Sequence, residues 1–129
     1  MRIILIAAAC FLLFIGCRKG RNSNDLVGTW KLVQMSNVTQ VWRNVAATEQ
    51  STLIFNSDNT YSHNPAMISS FSGCSGTYRI EPNNMLFMNW SCVSDPNYKD
   101  QLIFTRQGNR LILDHITTAT GVKTKYEKQ

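Results

Sequence analysis

From Leu26 onward, apolar and polar residues alternate with a period of two, and turn-forming residues break the pattern about every ten positions. The run 26–33 puts Leu26, Trp30 and Leu32 on one face. The run 41–45 is a short strand or an irregular crossing. Runs 52–55 and 60–63 flank Asp58-Asn59, a pair that tolerates the positive φ of tight hairpin turns. Runs 76–80 and 85–90 flank Glu81-Pro82-Asn83-Asn84, and runs 101–105 and 110–114 flank Gln107-Gly108-Asn109. Residues 64–75, with Pro65, read as a loop, Asp95-Pro96-Asn97 as a turn, and 121–126 as a closing strand. No segment holds a helical period. The pattern predicts an all-β fold, a small antiparallel up-and-down barrel of about eight strands, because closure removes the unpaired edges of an open meander. An eight-stranded barrel encloses an interior that side chains just fill, or that holds one small ligand.

The amino terminus follows another rule. Met1-Arg2 precedes an unbroken apolar run of 13 residues, Ile3 to Ile15. A span needs roughly 20 apolar residues, so the run has the length of a secretory signal core instead. Leu13-Phe14-Ile15-Gly16-Cys17 resembles the bacterial lipobox, which implies a signal peptide at 1–16 and a diacylated Cys17 as the new terminus. Two or more acyl chains make a stable membrane anchor. Residues 17–25 then read as a lipidated cysteine and flexible basic tether, and residues 26–129 as the barrel domain. In such signals an Asp directly after the cysteine retains a protein at the inner membrane. Arg18 stands there, so the resemblance implies the outer membrane and, without an acidic export run, its periplasmic side.

Of the four cysteines, Cys10 leaves with the signal and Cys17 takes lipid. Cys74 and Cys92 are left in an oxidising compartment, where a disulfide between them contributes about 3 kcal/mol. The rival is a metal site with His63 and His115, but the ligand spacings of zinc sites are missing. We expect no metal and no cofactor.

The 43% apolar content is swollen by the targeting segment. The formal charge of +5 divides in the same way: Arg2 leaves with the signal, residues 18–25 carry +2, and residues 26–129 carry nine cations against seven anions, again +2. A nearly balanced barrel argues against a nucleic-acid partner.

Catalytic motifs are missing. Gly73-Cys74-Ser75-Gly76 is no nucleophile elbow, and no phosphate-binding glycine loop appears. Asp58, Asp95, Asp100 and Asp114 read as turn caps and solubilising charges. His115 alternates onto the face of Leu111 and Leu113 as a wall residue. The chain does not read as an enzyme.

The aromatic residues carry the remaining hint. Alternation turns Trp30, Phe55, Tyr61, Tyr78, Trp90, Phe104 and Tyr126 mostly inward. They either fill the core or line a ligand cavity, which needs a few hundred Å³.

The segment Leu26-Val27-Gly28-Thr29-Trp30-Lys31-Leu32 resembles the opening strand of lipocalin-like domains, with its Gly-x-Trp signature. The segments 53–61, 76–80 and 110–113 also look like that family as found in bacterial lipoproteins, so the likeness spans most of 26–127. It implies that Gly28 lets the first strand bend and that Trp30 plugs the closed end of the barrel. No Arg in the last strand matches the family's partner for that tryptophan; Lys123 or Lys125 would substitute. Two functions follow. The first is a membrane-anchored lipoprotein binding a small apolar or amphipathic molecule in the barrel, with Phe55, Tyr61, Tyr78, Trp90, Phe104 and Tyr126 as cavity residues. The second is a solid-core envelope protein docking a protein partner through the 64–75 loop, with Met67, Ile68 and Phe71 as anchors.

Overall fold

Alternating side chains build nine strands. They are β1 (Gly28–Ser36), β2 (Trp42–Asn44), β3 (Thr52–Phe55), β4 (Thr60–Asn64), β5 (Cys74–Glu81), β6 (Met85–Trp90), β7 (Lys99–Gln107), β8 (Arg110–His115) and β9 (Lys123–Lys128). The structure is a computed structural model that describes residues 25–64, 73–92, 95, 99–116 and 121–129. Residues 1–24, expected to hold a signal peptide, the lipidated Cys17 and most of a tether, lie outside the described residues, as do Met67, Ile68, Phe71 and most of the 95–97 turn.

Each strand from β3 to β9 pairs antiparallel with its successor, and β9 returns to β1 through Trp30↔Lys128 and Leu32↔Tyr126. The eight long strands therefore close into a barrel. β2 is the addition. A register shift between Leu32 and Gln34 marks a bulge in β1, below which β1 pairs with β3 and above which it pairs with β2. A bulge re-aims a strand in this way.

The strand ends define two poles. One, the base, carries the hairpins β3–β4, β5–β6 and β7–β8 together with both ends of the described domain. The expected turns form there, with Asn59 (φ 63°), Asn83 (φ 65°), Asn84 (φ 60°) and Gly108 (φ 58°) taking the left-handed conformation. The other pole, the mouth, carries the β1–β2 hairpin and the connections after β4, β6 and β8. There the disulfide Cys74–Cys92, with Cα atoms 5.5 Å apart, ties the start of β5 to the turn that follows β6.

The strands run past the sequence boundaries where neighbours offer a partner. β7 was expected over 101–105, yet Asp100 pairs with Met88 and Gln107 with Arg110. Backbone pairing takes no account of side-chain polarity, so a polar residue can extend a strand that apolar alternation alone would end.

Inside, Leu26, Trp30, Phe104, Leu86 and Leu111 are fully buried, and Leu32, Leu53, Phe55, Tyr61, Tyr78, Met88, Leu102, Leu113 and Tyr126 complete one core. The lower half of the barrel is packed side chain against side chain. Phe55 meets Tyr78 edge-on at 4.8 Å between ring centres.

Candidate binding site at the barrel mouth

The base is sealed. Trp30 Nε1 donates to the carbonyl of Leu26 at 2.7 Å, which folds the chain entering the barrel back under the ring. Two cations flank the indole: the Lys128 ammonium 5.5 Å from the ring and the Arg106 guanidinium 5.8 Å from it. This corrects the expectation for Lys123 or Lys125. Lys123 pairs with Asp114 at 3.0 Å, and Lys125 lies on the outer side, 4.2 Å above Trp42. Lys128 is in register with Trp30, whereas the other two lie further up β9. The Lys128 ammonium also donates to the carbonyl of Val27 at 3.0 Å, and Arg106 donates to the carbonyl of Asp25. Gly28 makes room for this arrangement. A Cβ there would stand 2.6 Å from Lys128 Cε, and its φ of 136° is one that other residues rarely adopt.

Toward the mouth the interior turns polar. Asp100 is 6% exposed and faces His115, with Oδ2 3.6 Å from Nδ1. The other ring nitrogen of His115 lies 3.4 Å from the Thr124 hydroxyl. The reading of Asp100 as a turn-capping or solubilising charge is therefore corrected: it does sit near a strand end, at the second position of β7, but buried on the inward face shared with Leu102 and Phe104. The wall position expected for His115 holds. Nearby, the Ser36 hydroxyl accepts from the Lys123 backbone N–H at 2.9 Å. Asp58 does behave as the expected turn cap. Asp58 accepts from both the N–H and the hydroxyl of Thr60.

A cavity of about 30 Å³ lies within this polar end, walled by Leu53, Met88, Leu102 and Leu113 and by His63, Trp90, Asp100, His115 and Tyr126. Two larger depressions, about 230 and 220 Å³, lie elsewhere: one on the outer face among Gln34, Asn44, Arg110 and Lys125, the other at the base beside Asp25 and Arg106. The first is a cleft between solvated side chains. The second borders the plug.

Of the six aromatic residues proposed for a cavity, Trp90 and Tyr126 line this one. Phe55 and Tyr78 are packed below it, and Phe104 reaches toward the base. Tyr61 stands between these groups, edge-on to Trp90 at 5.4 Å, with its hydroxyl donating to the carbonyl of Asn89. His63 meets Trp90 edge-on at 5.9 Å.

Burial sets the ionisation of these groups. It holds His63 below the ordinary imidazole value, so the ring is neutral at pH 7. It raises the phenols of Tyr61 and Tyr126, and the Asp100 carboxylate raises both further. Among the described residues no group of three His, Cys, Asp or Glu is arranged to hold a metal ion.

A scan against protein-family models finds no match, and neither does a search of curated proteins. Among solved structures, a lipocalin-like protein from Bacteroides uniformis ATCC 8492 superposes with a TM-score of 0.61 over 81% of this chain and 99% of that one, at 18% identity. The fold is lipocalin-like. The lipocalin-like barrel here has its plug at the base and its polar cluster at the mouth.

Proposed function

We propose that this chain is a membrane-anchored lipoprotein whose lipocalin-like barrel binds a small amphipathic molecule at its mouth. The observation that carries this reading is the asymmetry of the interior. The base half is closed by Trp30 and filled by apolar side chains, while the mouth half keeps a small cavity with Asp100, His115 and His63 in an apolar, aromatic wall. A few convergent polar groups in an apolar wall are what small-molecule sites share. The cavity is far below the few hundred Å³ of a whole ligand site, so it receives one end of a ligand and the rest lies toward the mouth.

The anchor follows from Gly16-Cys17 behind the apolar run of residues 3–15, and Arg18 favours the periplasmic side of a bacterial outer membrane. Native mass spectrometry of the chain released gently from membranes tests both halves. A diacylglyceryl mass increment that Cys17→Ser abolishes, and a co-purifying small molecule that Trp90→Ala loses, are the expected results. A wild-type spectrum showing unmodified chain and no bound mass would sink the reading. The packed lower half also favours a second function, a solid-core envelope protein working through its loops. Val38 and Val41, 66% and 62% exposed on the β1–β2 connection, offer it an apolar tip at the same pole.

A further inference from the structure

Among the described residues, the mouth cavity holds a single carboxylate, Asp100, which already faces the His115 imidazole at 3.6 Å. Asp100 is the acidic group of its wall, the others are His63, His115 and Tyr126, and no lysine or arginine stands among the described lining residues. His63 is held neutral by burial, so it adds no positive charge at pH 7. The Asp100 carboxylate makes itself felt across the interior, since it disfavours ionisation of both Tyr61 and Tyr126. Trp90 and Tyr126 add aromatic rings to the same wall. A buried carboxylate among aromatic rings attracts an organic cation through charge and through the ring quadrupole. The same wall repels a carboxylate head.

Size points the same way. The cavity, about 30 Å³, exceeds the roughly 10–15 Å³ that one water-sized group needs, so a primary ammonium fits in it. A carbon chain has nowhere to go below it, because Trp30, Phe104 and Leu111 are fully buried in the packed base. Above it, His63, Trp90 and His115 are half-buried and mark the way out.

Resting on the reading of a barrel that holds a small amphipathic molecule, we propose that the cavity receives the primary ammonium head of an alkylamine, with the carbon chain directed outward past Trp90. Fatty-acid-like anions are then excluded from this site.

Three four-carbon probes of matched shape test this: n-butylammonium, butan-1-ol and n-butyrate. Each is titrated against the full chain in zwitterionic lipid nanodiscs, with saturation-transfer NMR as the readout and empty nanodiscs as the blank. We expect butylammonium to bind about tenfold more tightly than the alcohol, and butyrate more weakly than either. Asp100→Asn is expected to erase the advantage of the ammonium over the alcohol while its thermal unfolding still shows a folded barrel. The ranking in the wild-type chain decides the matter even if that variant fails to fold. Equal or tighter binding of the alcohol or the butyrate overturns the ammonium assignment and leaves the barrel-binding reading standing. If none of the three saturates, both fall.

Discussion

Gly28 shows how a single residue carries a packing arrangement. Its φ of 136° strains any other residue, and a Cβ there would stand 2.6 Å from Lys128 Cε, forcing the lysine end to move. Gly28→Ala is expected to cost about 1–3 kcal/mol in urea unfolding, through backbone strain and displacement of Lys128 from Trp30. Gly76 is tighter still: an added Cβ would sit 1.7 Å from the carbonyl oxygen of Asn89, which also accepts from Tyr61. Gly76→Ala should therefore reach the upper part of the about 1–3 kcal/mol range for overpacking and lower the thermal midpoint. His63 makes a pH-dependent contribution whose sign is fixed by its depressed pKa. Below about 6.5 the unfolded chain takes a proton that the folded one resists, so acidification lowers stability. Stability measured from pH 7.5 to 5 should fall less steeply in His63→Gln than in the wild type. Sequence showed Gly28 through its Gly-x-Trp setting, but Gly76 read only as the start of a strand. A close approach of two backbones across a sheet leaves no local trace when the second strand lies a dozen residues away.

At the scale of the elements, most of the barrel was legible. Turn residues such as Asn59, Asn83 and Gly108 must supply positive φ, and an inward period of two must hide Leu53, Phe55, Leu102 and Phe104. What alternation hides is an inward polar residue. Asp100 breaks the apolar rhythm of β7, so it looked like a terminal charge, although its position two before Leu102 already placed it on the inner face. The mouth cavity was thus half visible, in Trp90, Tyr126 and His115, and half concealed. The disulfide was readable from counting cysteines: with Cys10 and Cys17 assigned to the targeting segment, Cys74 and Cys92 are the pair left for an expected oxidising compartment. It joins the start of β5 to the turn just after β6 across 18 residues of separation, and replacing both cysteines with alanine should lower stability by about 3 kcal/mol under oxidising conditions. Because Cys74 pairs with His63 across β4–β5, the loss should loosen the mouth before the base. Hydrogen exchange would show faster amides in the upper ends of β4, β5 and β6 than in the β7–β8 hairpin.

For the whole molecule, the placement of the plug and the polar cluster at opposite poles matters in relation to the membrane. The domain begins at the base, where Asp25 meets Arg106. A tether of residues 17–25 spans at most about 30 Å when extended. An anchor at Cys17 would hold the base nearer the bilayer and leave the mouth facing away from it, toward soluble molecules. The barrel also closes late. Its seam joins β1 to β9, the first strand to the last, so the ring cannot be completed until nearly the entire domain is available. Removing residues 123–129 is expected to abolish the cooperative unfolding transition altogether, not merely shift its midpoint, because β1 and β8 both lose a partner. A chain built this way carries its own delay: exported as proposed, it would have no closed form to adopt while being threaded through a translocation channel, and the seam would be sealed only once β9 had cleared the pore.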